Sequence, residues 1–522
     1  MTSYPAQPRG VQNACSDALF SHRMKNDTLL AAIDLGSNSF RLEIGRLSHG
    51  QIHRVEYLKE TVRQGNGLDG ERLLSDDAMQ RGWDCLARFA ERLAGFKKQQ
   101  VWAVATQTLR EARNRDVFIS RAQQILGFPI EVISGREEAR LIYQGVAHLL
   151  PQSDDRRLVI DIGGRSTELI LGQHLEASVT ESYRVGSVAW SMKYFRDGQL
   201  TSGAFDRAEI AAKAILDEAL SLYPRHAWDV AYGSSGTVGA VGDILSLAGW
   251  SKGIINREGL AWLKRCMLRA QNADKLRMEG LREDRRAVIG GGVSVLMALF
   301  DLLDIDVLHV ADGALRHGVL YDMLEREGEQ EDVRATTVKR LQKNFGVDMA
   351  QAERVRRVAM RLLAQVTPEL PDEDAHRIGR KLEWAAQLHE MGAMISHSDY
   401  HKHGAYILDN SDASGFAVSE LHRLSLLVLG HRGKLRKLDV DFDDDAFATQ
   451  LMCLRLAVIL CHARRDPDDP ALQLQCSATP ARQFTLAIPA EWADQYPQSA
   501  HLLNEEVQAW QKTTWHLVLQ VV

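Results

Sequence analysis

Apolar positions along this chain come in short blocks that stop at an acidic residue, break on glycine and resume. The segment "AAIDLGSNSFRLEIG" (31–45) does so, and "LVIDIGGRSTELILG" (158–172) repeats it 127 residues later. Asp34, Gly36, Ser39, Leu42 and Gly45 share offsets with Asp161, Gly163, Ser166, Leu169 and Gly172. The spacing predicts a β-hairpin in each copy. In the first, strands over 28–34 and 39–47 flank a tight turn at Gly36-Ser37-Asn38. Two unrelated hairpins with glycine turns are the alternative. Duplication is favoured because the matches fall on polar and glycine positions rather than on apolar filler.

The period turns helical over 75–95, which opens on a serine cap. A short buried strand (101–106), a helix (about 114–126), a strand (130–134) and the helix "GREEARLIYQGVAHLL" (135–150) follow. Further strands are predicted at 228–237 and 307–315. Strands alternating with helices imply α/β layering in two similar lobes, 28–141 and 142–328. From 329 the pattern is mostly long amphipathic helix, as in "MAQAERVRRVAMRLLAQV" (349–366), and predicts a helical domain over 329–466. The acidic "DVDFDDDAF" (439–447) interrupts it. The tail, 467–522, carries "LQLQCSA", "FTLAIP" and "HLVLQVV", which read as strands around one helix in a small α+β domain.

Length supports this division, since 522 residues exceed one core and suggest three or four domains. A net charge of −6 argues against wholesale nucleic-acid binding but leaves room for a local basic groove. No run approaches the ~20 apolar residues of a transmembrane helix. Residues 1–27 lack the apolar middle of a signal peptide and read as a disordered leader. Six cysteines (Cys15, Cys85, Cys266, Cys453, Cys461, Cys476) are scattered without a CxxC pair. That suits a reducing cytoplasm and argues against structural zinc. Peripheral membrane association is left open.

A turn of Gly, Ser and Asn lets backbone N–H groups converge on an anion, and glycine permits the close approach. Ser39 and Ser166 add hydroxyl donors, and two facing copies would grip a phosphate from both sides. Asp34 and Asp161, just before each turn, would repel phosphate directly. They are therefore candidates to hold Mg²⁺ or a water that touches it. Glu168 on the outgoing strand is a further carboxylate, with a solvated strand residue as the alternative. "YGSSGT" (232–237), with Gly233, Ser234, Ser235 and Gly236, ends a strand and starts a helix. Its N–H groups could take an anion, or it could be a plain helix-start turn. In "ISGREEAR" (133–140), Glu137 and Glu138 fall in a first helical turn, where the dipole favours carboxylates. The functional reading makes one of them a base that activates water.

Together, "AIDLGSNSFR", "ATQTLREA", "VISGREEARLIYQGV", "VIDIGGRSTELI", "YGSSGT" and "DGALRHGVLY" resemble the exopolyphosphatase / guanosine pentaphosphate phosphohydrolase family. The resemblance runs from about residue 28 to the C-terminus. It implies duplicated actin-like (ribonuclease H-like) lobes around a phosphate-handling cleft. It also implies that Glu138 is the catalytic base and that Asp161 and Glu168 are metal-linked. Gly36-Ser37-Asn38-Ser39 and Gly163-Gly164-Arg165-Ser166 would be the phosphate loops, Arg110 a phosphate ligand and Mg²⁺ the cofactor. A K⁺ requirement is left open. Two positions depart from the family. Arg165 stands where Gly or Ala is usual, and would either contact polyphosphate or point into solvent. His317 stands where an acidic residue is common.

"AAQLHEMGAMISHSDYHKHGAYIL" (385–408) is similar to the metal-binding core of HD-type phosphohydrolases. Its diagnostic His-Asp pair is here His389-Glu390, which suggests a helical HD-like scaffold without the metal. His397, His401 and His403, with Arg432 and Lys434 of "HRGKLRKL" (431–438), are expected to line a path for a long polyanion. A solvated surface is the alternative. Within the family the "HSDYHKHGAYIL" and "HR" pattern resembles exopolyphosphatases more closely, and no base pocket is evident, so inorganic polyphosphate is the favoured substrate, cleaved processively from its end. Hydrolysis of the 5′-phosphate of guanosine pentaphosphate (pppGpp) is the first alternative. An actin-like kinase or ATPase, or a non-catalytic polyphosphate or nucleotide sensor, is the reading from another class. The resemblance also implies a homodimer.

Overall fold

Both copies of the repeated pattern continue past the expected hairpin into a third strand. In this computed structural model β1 (Leu29–Leu35), β2 (Phe40–Ser48), β3 (Gln51–Glu60), β4 (Val101–Ala105) and β5 (Ile130–Val132) form one sheet in the order β3-β2-β1-β4-β5. The second sheet holds β6 (Arg157–Ile162), β7 (Thr167–Gln173), β8 (Glu176–Tyr183), β9 (Val230–Ser234), β10 (Ile254–Asn256) and β11 (Val307–Val310), in the order β10-β11-β9-β6-β7-β8. In each, three antiparallel strands are followed by two parallel strands reached through helical crossovers, and the second sheet adds β10, antiparallel to β11, at its edge. The duplication is therefore topological as well as sequential. The structure describes residues 26–48, 51–151, 153–326, 333–367, 372–411, 413–466, 472–477 and 482–522. The expected leader lies outside them except for Asn26 and Asp27.

The matched glycines have a shared cause. The register slips by one residue at Ile44/Gly45 against β3 and at Leu171/Gly172 against β8. A Cβ on Gly45 would lie 2.3 Å from Ile52, and one on Gly172 would lie 2.3 Å from Tyr143. Each bulge bends its hairpin where only glycine fits.

Ser134 caps the helix Gly135–Ala147 by accepting from the Glu137 N–H at 3.1 Å. This helix packs against Leu315–Arg326 between the two sheets, in one apolar cluster that includes Ala32, Val104, Ile142, Val146, Val159, Ile170 and Leu320. The two helices touch backbone to backbone, since a Cβ on Gly318 would lie 1.7 Å from the Leu141 carbonyl. The lobe boundary drawn at 141/142 falls inside this helix, which is shared between the lobes.

Beyond the lobes, the helices Val333–Asn344, Met349–Val366, Asp372–Leu388, Tyr400–Asp409, Val418–Gly430 and Asp445–Leu460 follow. The tail forms a sheet of β12 (Gln473–Ser477), β13 (Gln483–Ile488) and β14 (His516–Val521). It carries two helices, Ala490–Gln495 and Pro497–Trp510, where one was expected. One apolar cluster runs from Val338 to Leu517 and so crosses the boundary drawn at 466/467. This unit docks on the first lobe through a bridge between Ile133 and Ala417. The Gly415 N–H also donates to Glu137 Oε2 at 2.7 Å. No helix among the described residues is long and apolar enough to cross a membrane.

Candidate active site

The two glycine turns meet. A Cβ on Gly164 would lie 3.2 Å from the Ser37 Cβ and 3.7 Å from the Asn38 nitrogen. The loop carbonyls are engaged from behind: Gly65 N–H donates to Ser37 O at 2.8 Å and Arg63 N–H to Asn38 O at 2.9 Å. In the second loop Ser187 N–H donates to Gly163 O at 2.9 Å and Val188 N–H to Gly164 O at 2.8 Å. Loops backed this way turn these carbonyls away from an incoming anion, although the Gly163 N–H is itself engaged by Ser166 O at 2.9 Å. Gly36, Ser37, Asn38, Ser39, Gly163, Gly164 and Ser166 line a cleft of about 480 Å³ between the lobes. Asp34, Asp161 and Glu138 line it too.

Glu138 is buried and accepts from Arg110 Nη1 at 3.2 Å. Burial raises its proton affinity above the ordinary carboxylate range against the pull of Arg110, and the Asp34 and Asp161 charges add to the rise. Asp161 is pushed up to about 6, chiefly by burial. Asp34 accepts from Arg41 Nη1 at 2.8 Å. Ser235 and Gly236, at the N-terminus of the helix Ser235–Leu247, complete the anion-binding wall. Ser235 sits at φ +89°, a left-handed strain of the kind that clusters at functional sites.

Five cations also line the cleft, and sequence reasoning assigned none of them: Arg41, Lys59, Arg282, Arg285 and Arg316. Arg285 lies over Gly236, where a Cβ would collide with its guanidinium. Burial, then the neighbouring Arg41 charge, lowers its pKa, as expected where an anion is wanted. The basic cluster at 282–286 in "GLREDRRAVIGGG" and the Arg that ends "AIDLGSNSFR" were the available signals.

A sequence profile of the Ppx/GppA phosphatase family matches residues 44–327, and that of the family's domain III matches 333–507. The chain belongs to the Ppx/GppA phosphatase family. A guanosine-5'-triphosphate,3'-diphosphate pyrophosphatase of Vibrio atlanticus is 39% identical over 494 residues, 94% of this chain and 98% of that one. The protein of the same name from Vibrio vulnificus is 39% identical over 499 residues, 95% of this chain and 99% of that one. Among solved structures, an exopolyphosphatase-like protein is 25% identical with a TM-score of 0.52, covering 57% of this chain and 99% of that one. An exopolyphosphatase from Cytophaga hutchinsonii shares the fold at 24% identity and a TM-score of 0.52, covering 57% and 98%. Phosphatase chemistry on duplicated actin-like lobes is thus the family's assignment.

Within this Ppx/GppA cleft several expected residues stand elsewhere. Glu168 does not line it. It lies opposite Asp161 in the β6–β7 register, buried, and accepts from Ser182 Oγ at 2.8 Å. Burial, then Glu138 and Asp161, holds its carboxyl well above the usual range. Among the described residues no group of three or more His, Cys, Asp or Glu side chains could hold a metal. Arg110 faces Glu138 and the Ile133 carbonyl, at 2.8 Å, instead of the cleft. Arg165 turns neither into the cleft nor to solvent but to the Gly65 carbonyl and the Glu111 carboxylate of the other lobe. Gly233 is packed under Val238 and Leu308, and Ser234 donates to Gly313 O at 2.7 Å. His317 accepts at Nδ1 from Ala314 N–H, so its Nε2–H faces Glu43 Oε1 at 3.2 Å.

None of His397, His401, His403, Arg432 and Lys434 lines the cleft. Arg432 stacks on Tyr400 at 4.7 Å. His389 and His431 donate Nδ1–H to Ala386 O at 2.7 Å and Val428 O at 2.6 Å. Burial lowers the pKa of both rings.

Proposed function

We propose that this chain hydrolyses the terminal 5′-phosphate of guanosine-5'-triphosphate,3'-diphosphate. What carries this reading is the near full-length identity of 39% to relatives of that name. The cleft supports it: two anion loops and a helix N-terminus converge where a buried carboxylate can take a proton from water. Glu138 serves as the base, since burial keeps its proton affinity near what water activation needs. Arg110 orients it through one oxygen and leaves the other for water. The loop N–H groups, Ser235 and the cleft arginines offset charge on the departing phosphoryl oxygens.

The donor set fits Mg²⁺ held by one or two carboxylates plus substrate oxygens rather than by an all-protein cage. Asp161 and Asp34 face the same space and raise the Asp161 proton affinity together with burial, an arrangement that a cation relieves. Bound there, Mg²⁺ would neutralise developing phosphate charge. Inorganic polyphosphate is the second reading, favoured by the five lining cations.

The test is phosphate release from guanosine pentaphosphate and from long polyphosphate in parallel, with and without Mg²⁺. A higher kcat/KM on the nucleotide is expected. Turnover of polyphosphate alone would reverse the preference.

A further inference from the structure

A long cation inside a glycine-rich anion loop should reach for the anion, yet Arg165 leaves the cleft and crosses to the first lobe. Its Nη1 donates to the Gly65 carbonyl at 3.0 Å, and its Nη2 lies 3.5 Å from Glu111 Oε2. Gly65 is the residue whose N–H backs the Ser37 carbonyl, so Arg165 also braces the first phosphate loop. Glu111 is not the end of the chain of contacts. Its Oε1 accepts from Gln107 Nε2 at 2.6 Å. Gln107 Oε1 accepts from Arg110 Nη2, and Arg110 Nη1 donates to Glu138 Oε2 at 3.2 Å. A continuous polar relay therefore runs from the second phosphate loop to the base, with a single crossing between lobes.

The crossing is shielded. The Arg165 and Glu111 side chains are 21% and 13% exposed, so the pair is less screened than a surface ion pair. The Arg165 backbone also presses on Gly186, where a Cβ would lie 2.5 Å from the Arg165 nitrogen. The stem has little freedom to swing back into the cleft. A second guanidinium of the second lobe, Arg184, lies 3.5 Å from Glu111 Oε1 and strengthens the same junction.

We propose that Arg165 and Glu111 form a latch between the lobes that couples their closure to the placement of Glu138. Both are positioning residues: neither faces the substrate, and each acts through another group. With the latch shut, the two loops meet and Gln107 holds Arg110 against the base. With it open, the loops separate and Arg110 loses one of its anchors. The idea rests on phosphate hydrolysis with Glu138 as base, and not on which substrate is preferred.

The experiment compares Arg165→Ala, Glu111→Ala, their double variant and the charge swap Arg165→Glu/Glu111→Arg, with folding checked by circular dichroism. Phosphate release is measured on guanosine pentaphosphate and on long polyphosphate, using whichever the unmodified protein cleaves. Each single change should lower kcat about tenfold, with KM moving less than about threefold, as expected when misplacement affects the transition state more than ground-state binding. The double variant should be no worse than the poorer single, and the swap should regain part of the loss. A wild-type kcat for Arg165→Ala, or losses that multiply in the double variant, would overturn the latch. Should alanine at 165 prevent folding, Arg165→Gln keeps the stem and removes the charge, and the same kcat loss is required of it. If the unmodified protein cleaves neither substrate, the substrate reading fails and the latch is decided by amide hydrogen exchange. Arg165→Gln must then speed exchange in 36–39 and 135–138, and unchanged rates there sink it.

Discussion

Two adjacent glutamates in one helical turn do different work. Successive helical side chains point about 100° apart, and here that angle separates chemistry from assembly. Glu138 faces the cleft. Glu137 pairs with Arg140 at 2.8 and 2.9 Å and accepts the Gly415 N–H from the C-terminal unit. Glu138→Gln should therefore lower kcat by ~10²–10⁴-fold with little change in substrate affinity, checked by turnover and by equilibrium binding. Because burial raises the Glu138 proton affinity, activity should fall on acidification at a pH above the ordinary carboxylate range. The residual rate of the glutamine variant should lack that acid limb, and a limb that persists would assign it to another group. Glu137→Ala should instead cost about 1–3 kcal/mol of stability, read by urea denaturation, because it removes a buried carboxylate to which both Arg140 and the Gly415 N–H donate.

At the scale of elements, the hairpins were legible because their strands are apolar on both faces and their turns carry glycines that geometry demands. β3 and β8 were not. They lie outside the buried strands, and β3 shows no fully buried position, so its sequence "QIHRVEYLKE" carries no clean alternation. The site divided the same way. Loops, Asp34, Asp161 and Glu138 stand in motifs, as does Arg316 in "DGALRHGVLY", but it, Lys59, Arg282 and Arg285 reach the cleft through a convergence that only tertiary packing creates. Arg316 shows how: it is held by Glu43 on β2, as is His317. Burial alone would raise the Glu43 pKa, but His317 and Arg316 outweigh it and bring the group down to about 2. A depressed carboxylate stabilises the fold above its unfolded pKa and loses that contribution as pH falls toward its folded one. Glu43→Gln should thus be destabilised by roughly 3 kcal/mol at neutral pH. The gap to the unmodified protein should close between about pH 4.5 and about pH 2 in denaturation curves.

For the whole molecule, the question is how many units unfold. Sequence texture separates helices 329–466 from the tail, yet the tail's Trp510 and Trp515 are fully buried in the same cluster as the helices' Leu451 and Leu456. Across that junction Arg455 donates to both oxygens of Glu506, at 2.5 and 2.6 Å, and to the Gly430 carbonyl at 2.6 Å. Both side chains are buried, at 6% and 4% exposure, so deleting one leaves the other charge stranded. Such a loss costs ~3–5 kcal/mol, far more than an exposed pair would. Glu506→Ala should therefore weaken helices and sheet together: amide exchange should accelerate alike in Met349–Val366 and His516–Val521. Since this unit meets the Glu138 segment at Glu137, through the Gly415 N–H, and just before the helix at Ile133, through Ala417, phosphate release should survive until the unit melts and then fall with it. Acceleration confined to the strands would mean that the tail is a separate domain after all, and that its tryptophans only rest on the helices.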